Sequence, residues 1–423
     1  METLRGFVHG VVGPRTLSKP DRISATLELR RMAVPSTSEE WQPGQPVSTD
    51  FYELYWAHLM TGTSWNHVTA WLRTLMLRSP VDLPSRLLAW WLGSWVVSIV
   101  VVGATLAGSW RPDFSSWWIA VVAAAAVTLA KSAGFYFGLQ YVGDVARYLS
   151  PTPPNIGVRH AIRSAAIDLL NGLHDDPTWR RYHRIVVVGH SLGSVIGYDA
   201  LTHLWQQRHH PIAGARWAPQ PNHTRLTEVL ERDELLNVED VRLLQAGVWR
   251  EQREIGVQWK ITDFVTLGSP LAHAPFLMAR NLDDFEKRKQ EREFPGCPPT
   301  REDGRDKEYG HSLLEVTPPG ASGACKLLHH AAPFGCTRWT NLFFPGDLVG
   351  GTLKDFGRWI KEPDIHSVHR LPHTRYWRAD EPACEELKKA LDLDAWWTRD
   401  NNAEIALGAQ ALESQALKKR THD

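Results

Sequence analysis

Cysteine is scarce in this chain of 423 residues and shows no regular spacing. The four cysteines form no C-x-x-C pair, and no H-E-x-x-H sequence is present. These absences argue against a disulfide framework, and they favour a reducing compartment. They also remove the commonest sequence signals for a zinc site.

The chain also lacks net charge, because 47 basic residues balance 47 acidic ones. Without an excess of positive charge it has no field to attract nucleic acid, so we expect no nucleic-acid partner. A signal peptide is not indicated either, since Arg5 and His9 interrupt an already short apolar run. The apolar fraction of 43% is ample for a sizeable core.

The most informative stretch that is present is Gly-His-Ser-Leu-Gly at residues 189–193. It follows the largely β-branched run 184–188 and precedes the helix-compatible run 194–201. A strand, a sharp turn and a helix in this order are typical of a nucleophile elbow, which holds a serine at the carboxyl end of a strand. Ser191 is therefore the predicted nucleophile, and an ordinary structural turn is the alternative.

A serine nucleophile needs a base, and the base needs a carboxylate that orients it. In an arrangement of this kind the acid follows the serine, and the histidine follows the acid. Residues 339–344 read as a buried strand closed by a Pro-Gly turn, and Asp347 comes directly after it. We predict Asp347 as the acid, with Asp263, Asp355 and Asp364 as alternatives. Asp347 could instead only satisfy its own turn.

Three histidines lie beyond the predicted acid, His366, His369 and His373. A short apolar and basic piece that ends at Pro372 predicts a last strand, which would place His373 on the loop after it. We predict His373 as the base. Three imidazoles within eight residues leave a metal site as the alternative, but the missing cysteine and histidine motifs argue against it.

Hydrolysis at such a serine also requires two backbone N–H groups that stabilise the oxyanion. Leu192, directly after the nucleophile, is predicted to supply the first. Residues 4–8 read as a short strand that ends in a His-Gly step. This predicts Val11, or failing that Val12, as the second donor, and a plain turn is the alternative.

Residues 87–110 form a run of 24 residues without a charge, about 36 Å long as a helix. After a short polar link, residues 114–130 add 17 more uncharged residues. This predicts a transmembrane helical hairpin with the lipid bilayer as partner, and a buried helical pair is the alternative. Small residues at 103–108 could also pack two copies into a homo-oligomer. Basic residues flank the hairpin, which predicts cytoplasmic chain ends; they are Arg73, Arg78, Arg86, Lys131 and Arg147.

Further elements follow from local patterns. We expect strands over residues 47–56 and 261–267 and a helix within 144–173. Asn237 is predicted to cap a helix, and residues 283–293 predict a charged helix. The organisation predicted is a first part of the core at 1–80, the hairpin and its exit at 87–143, the rest of the core at 144–399, and a polar tail at 400–423. Polar insertions at 203–258 and 272–337 are expected to form a cap.

Several of these segments together resemble α/β-hydrolases of the lipase and esterase type, especially membrane-anchored bacterial members. The resemblance is carried by His9-Gly10 and by residues 50–57, 189–193, 264–271, 341–347 and 373–377. It implies an α/β fold class, namely a reduced α/β-hydrolase core with a mainly parallel sheet, interrupted by the transmembrane hairpin and the two insertions. It also implies a triad of Ser191, Asp347 and His373, and no cofactor.

The expected function is therefore a multi-pass membrane-anchored serine hydrolase with a cytoplasmic catalytic domain. Its expected substrate is a carboxylic ester, and an anchor that holds the site near the bilayer favours an acyl lipid. A thioesterase or deacylase acting on acylated proteins is one alternative. A non-catalytic membrane scaffold that keeps a hydrolase fold is the other.

Overall fold

The structure is a computed structural model, and it describes most of the chain outside the region 61–143. The described residues are 2–14, 16–21, 23, 30–35, 48–60, 88, 91–93, 95–96, 99, 144–145, 147–149, 153–175, 182–211, 216–300, 313–316, 325–347, 349–367, 369 and 372–393. Among them the strands are β1 Leu17–Pro20, β2 Arg30–Pro35, β3 Ser48–Phe51, β4 Ile185–His190, β5 Ile261–Leu267, β6 Leu313–Val316, β7 Cys325–Leu328 and β8 Arg338–Leu342. The helices are α1 Glu2–Val12, α2 Pro153–Asp175, α3 Leu192–Arg208, α4 Pro221–Glu231, α5 Val238–Glu254, α6 Ala274–Leu277, α7 Leu282–Gln290 and α8 Pro382–Leu391.

The chain divides into two compact units. The first combines Met1–Trp56, Ile162–Ala272 and Glu286–Asp423, and it contains every strand described above. The second combines Ala57–Ala161 with His273–Phe285. In the second unit the guanidinium of Arg147 donates to the carbonyl of Met60 at 2.9 Å, which closes the 3₁₀ turn Ala57–Met60 against the later segment.

The described strands form three separate small sheets. β1, β2 and β3 are antiparallel, β6 and β7 are antiparallel, and β4, β5 and β8 are parallel in the order β4-β5-β8. The predicted α/β-hydrolase core with a mainly parallel sheet is therefore wrong, because only one of the three sheets is parallel. Local patterns locate strands but carry little information on which strands pair, and pairing decides the fold class.

The parallel sheet positions the residues of interest. Its central strand β5 is buried at all seven positions, as expected for a strand flanked on both sides in a parallel sheet. The N–H of Ser191 continues the pairing beyond β4 by donating to Leu267 O at 3.0 Å. On the other side the N–H of Gly268 donates to Leu342 O at 2.9 Å. All three strands thus end at one edge of the sheet.

Most of the locally predicted elements are confirmed. The runs 184–188, 261–267 and 339–344 fall on β4, β5 and β8, and residues 283–293 overlap α7. Asn237 caps α5, since its side-chain oxygen accepts from the N–H of Asp240 at 2.9 Å. The strand expected before His373 is wrong for the residues described there, because 364–367 and 369 are not in a strand and Pro372–Thr374 is a 3₁₀ turn.

The N-terminal strand is also wrong, because residues 2–12 form helix α1. Leu4, Val8 and Val11 are all buried, and they recur at intervals of four and three residues. This spacing places the three side chains on one face of a helix. Val11 packs in a cluster with Val265 and Leu267 of the parallel sheet.

The predicted membrane hairpin lies mostly outside the described residues, which include only 88, 91–93, 95–96 and 99 of residues 87–130. In the part of the chain that is described, no helix combines the length and the apolar character needed to cross a bilayer. The prediction of a two-pass membrane protein with cytoplasmic ends is therefore wrong, as is the hairpin in the predicted fold class. A stretch without charge indicates burial, but it does not by itself establish a continuous spanning helix. The oligomer contact at 103–108 and the tail 400–423 lie outside the described residues.

Candidate active site

Ser191 lies in the tight turn between β4 and α3, with φ of 52° and ψ of −129°. A positive φ is unusual for a residue with a side chain and costs about 1–3 kcal/mol, so it persists where the surroundings enforce it. The serine is 4% exposed, and its Oγ atom has no hydrogen-bond partner among the described residues. The elbow predicted from the sequence is thus present as a strained turn with an uncommitted hydroxyl.

The first glycine of the elbow has a steric reason. A Cβ atom at Gly189 would lie 2.5 Å from the Cα of Ser194 and 2.7 Å from the carbonyl oxygen of Gly193. Contacts this short are not found, so α3 can begin directly over the end of β4 only when residue 189 is glycine. A Cβ atom at Gly193 would meet nothing within 4 Å in the described structure.

Asp347 and His373 form a hydrogen-bonded pair at the carboxyl edge of the parallel sheet. His373 Nδ1 lies 2.8 Å from Asp347 Oδ2 and 3.0 Å from Oδ1. An ionised carboxylate only accepts hydrogen bonds, so Nδ1 carries the proton and Nε2 is left as the basic nitrogen. The structure therefore brings together the predicted acid and the predicted base.

Asp347 is buried but keeps its charge. Burial alone would raise the pKa of this carboxyl, but the hydrogen bond and charge of His373, the hydroxyl of Tyr376 and the N–H of Val349 outweigh burial. The pKa of Asp347 is therefore lowered. The Tyr376 hydroxyl donates to Oδ2 at 2.6 Å, and the Val349 N–H donates to Oδ1 at 2.9 Å.

The end of β5 connects the serine to this pair. Leu267 O accepts the N–H of Ser191, and the next residue, Gly268, packs against the acid and the base. A Cβ atom at Gly268 would lie 2.8 Å from Asp347 Oδ2 and 3.0 Å from His373 Nδ1. Ser191 and the Asp347–His373 pair therefore lie at the same edge of the sheet, around the turn that begins at Gly268, but Ser191 Oγ makes no hydrogen bond to His373.

His190 forms a second link between the elbow and the base. Its Nε2 donates to the carbonyl oxygen of His373 at 2.7 Å, and the two rings lie 4.9 Å apart. Trp377 packs edge-on against His190 at 4.9 Å. Burial and the charge of His373 lower the pKa of His190 to about 4, so it is neutral at neutral pH. His190 was not among the predicted site residues, although its place in the Gly-His-Ser turn was a usable signal.

Tyr376 is the other functional residue that the sequence did not reveal. Its hydroxyl accepts the N–H of Phe344 at 3.2 Å and donates to Asp347, and its ring stacks on Phe344 at 4.6 Å. Burial and the charge of Asp347 raise its pKa, which keeps the hydroxyl protonated as a donor. The available signal was a tyrosine three residues after the predicted base.

The two predicted oxyanion donors differ in outcome. Leu192 is the first residue of α3, where a backbone N–H has no acceptor within the helix. Val11 lies instead inside α1, and a regular helix directs each N–H to the carbonyl four residues earlier. The strand and turn that motivated Val11 are absent, and Val12 ends the same helix. Leu192 thus keeps the position from which a donor was predicted, and Val11 does not.

The alternative acids lie elsewhere. Asp263 is at the opposite, amino-terminal part of β5, where Arg184 and Arg338 each donate to its Oδ2 at 2.7 Å. Burial would raise the pKa of Asp263, but these arginines outweigh burial and lower it. Asp355 lies in the 3₁₀ turn Lys354–Phe356, and Asp364 is exposed.

The other two histidines do not converge with His373. His366 lies 3.4 Å from Asp364, and His369 lies 3.5 Å from Glu381. Within the described ranges, no group of three or more His, Cys, Asp or Glu residues could hold a metal ion.

Comparison with known proteins gives no match: no family model fits the chain, and no curated protein or solved structure is significantly similar to it.

Proposed function

We propose that this protein is a serine hydrolase that cleaves carboxylic esters through an acyl-enzyme on Ser191. The observation that carries the proposal is that a strained serine with an uncommitted hydroxyl lies at the same sheet edge as the Asp347–His373 pair, whose carboxylate is buried. Backbone strain and a buried carboxylate each cost free energy, and a site where both occur together is a candidate for catalysis.

Each residue has one task in the proposed reaction. His373 Nε2 takes the proton of the Ser191 hydroxyl while Oγ attacks the ester carbonyl carbon. Asp347 holds Nδ1 and stabilises the imidazolium that forms. The carbonyl oxygen becomes an oxyanion, for which the Leu192 N–H at the start of α3 is the donor.

The proton on Nε2 then passes to the alkoxide oxygen of the leaving alcohol as the bond to the carbonyl carbon breaks. A water molecule completes the cycle: Nε2 takes its proton, its oxygen attacks the acyl carbon, and Ser191 recovers a proton as the carboxylic acid leaves. Tyr376 and the Val349 N–H keep Asp347 ionised throughout, since both donate to its oxygens.

The resemblance to lipases and esterases supports this chemistry, but the preference for an acyl lipid depended on a membrane anchor. Because the prediction of that anchor was wrong, the proposed substrate is a carboxylic ester, and its presentation in a bilayer is not part of the proposal.

The test is the hydrolysis of a soluble p-nitrophenyl ester. Ser191→Ala, Asp347→Asn and His373→Ala should each lower kcat by about 10⁴- to 10⁶-fold, and a double variant should lose no more than the worse single variant. Asp364→Asn and His366→Ala are matched controls, because both residues are exposed and lie outside the cluster. Wild-type protein without esterase activity, or an active Ser191→Ala variant, would refute the proposal.

A further inference from the structure

The main chain of Ser191 is held on both sides. Its N–H donates to Leu267 O at 3.0 Å, and its carbonyl oxygen accepts two hydrogen bonds from Ser194. One comes from the Ser194 N–H at 2.9 Å and the other from the Ser194 hydroxyl at 2.6 Å. A residue in a strained conformation keeps it only when such contacts over-determine it.

The Ser194 hydroxyl belongs to a longer chain of hydrogen bonds. Its Oγ lies 2.6 Å from Ser269 Oγ, and Ser269 Oγ lies 3.2 Å from the N–H of Leu271. Ser194 and Ser269 are fully buried. The series of hydrogen bonds therefore runs from the turn after β5 to the carbonyl oxygen of Ser191, and both hydroxyls in it are shielded from solvent.

The protons in this chain have only one consistent arrangement. The Leu271 N–H can only donate, and the Ser191 carbonyl oxygen can only accept. A hydroxyl has one proton, and Ser194 gives its proton to Ser191 O. Ser269 must therefore donate to Ser194 while accepting from Leu271. Each hydroxyl donates once and accepts once, so the chain is directional and fully satisfied.

We propose that Ser194 and Ser269 are positioning residues, which fix the main chain of Ser191 relative to the acid and base. The same turn begins at Gly268, which packs directly against Asp347 and His373. The hydroxyls of Ser194 and Ser269 thus connect the main chain of Ser191 to the turn that packs against Asp347 and His373. This inference depends on the proposed role of Ser191 as nucleophile.

The test uses a fluorophosphonate probe, whose phosphorus bonds to Ser191 Oγ as fluoride leaves and His373 takes the proton. Labelling rates are compared for wild type, Ser194→Ala, Ser269→Ala and the double variant, each normalised to its folded fraction. Thr202→Val is the matched control. It removes a buried hydroxyl of the same helix that donates to a carbonyl, Tyr198 O at 2.9 Å, away from Ser191.

We expect each of the two serine variants to label about 10- to 100-fold more slowly than wild type, because small displacements of a reacting atom have effects of this size. The double variant should lose no more than the worse single variant, since both belong to one chain. In ester hydrolysis kcat should fall while KM stays unchanged. Thr202→Val should label at the wild-type rate.

If Ser194→Ala does not fold, Ser269→Ala alone tests the positioning role. In this series of hydrogen bonds, Ser269 is linked to Ser191 only through Ser194. Wild-type rates in Ser269→Ala, or losses equal to that of Thr202→Val, would overturn the positioning role. Failure of the wild-type protein to label would instead refute the nucleophile itself, so the two failures are distinguishable.

Discussion

Gly268 is the residue at which the smallest change should disturb the acid and the base together. Its φ of +53° is unfavourable for any side chain. A Cβ atom there would lie 2.8 Å from Asp347 Oδ2 and 3.0 Å from His373 Nδ1. Both groups would have to move, and this would disturb the hydrogen bond that orients the base.

Gly268→Ala should therefore lower kcat for ester hydrolysis by about 100-fold. Gly346→Ala is the matched control in the loop before the acid, because a Cβ atom there would meet nothing within 4 Å. Its kcat should equal that of wild type. Equal rates for the two variants would show that the close packing at Gly268 has no role in catalysis.

The residues of the candidate site differ in how far the sequence could reveal them. Ser191 and Asp347 were predictable because Ser191 directly follows β4 and Asp347 follows β8 after a short Pro-Gly turn. For His190 and Tyr376 the sequence offered only their proximity to Ser191 and His373, because their contacts are with partners distant in the chain. His190 is 183 residues from His373 in the chain, and Tyr376 is 29 residues from Asp347.

Among the elements, β5 has a different role at each end: its amino-terminal part holds the sheet together, and its carboxyl end lies at the candidate active site. Near its amino-terminal end, Asp263 accepts hydrogen bonds from Arg184 of the segment before β4 and Arg338 of β8. These contacts tie the starts of all three parallel strands. At its carboxyl end, Leu267 and Gly268 support the candidate active site.

Replacing Asp263 and Asp347 one at a time separates these roles. Asp263→Asn should lower the free energy of unfolding by about 3–5 kcal/mol, since it removes the buried carboxylate that the largely buried Arg184 and Arg338 share. The remaining folded protein should keep its kcat. Asp347→Asn should lose activity and less stability. Denaturant unfolding and ester hydrolysis measure the two effects, and a catalytic loss in Asp263→Asn that exceeds the loss in Asp347→Asn would move the acid to Asp263.

Elements with a simple internal pattern were predictable, and those fixed by packing were not. Apart from Asp263, every residue of β5 is apolar or β-branched, so its burial between two neighbouring strands follows from its sequence. Residues 4–8 are short enough to fit a strand or a helix, and burial of Leu4, Val8 and Val11 on one helical face decides for α1. Pairing into three separate sheets depends on tertiary contacts that no local pattern contains.

At the scale of the whole molecule, several buried histidines make stability depend on pH. Burial is the main cause that lowers the pKa of His174, His223 and His329 to about 3 and that of His190 to about 4. An unfolded chain has histidines with a pKa of about 6.5, so below that pH the unfolded state binds more protons than the folded state. Stability should therefore fall as pH drops from about 6.5 towards 3.

Urea unfolding between pH 7 and pH 4.5 measures this effect. Each histidine that stays neutral in the fold should contribute a slope of about 1.4 kcal/mol per pH unit within its window. His223→Phe should reduce the slope, because it removes one fully buried imidazole. His366→Ala, at an exposed position, should leave it unchanged. A pH-independent free energy of unfolding over this range would contradict the neutral, buried state of these side chains.

The nucleophile is identified most directly by the residue that a fluorophosphonate probe modifies. Mass spectrometry of the labelled protein, digested into peptides, should find one adduct, on Ser191 within residues 189–193. Ser191→Ala should carry no adduct, and His373→Ala should label far more slowly because the base is missing. An unlabelled wild-type protein, or an adduct on another serine with Ser191 unmodified, would contradict the assignment of Ser191 as the nucleophile.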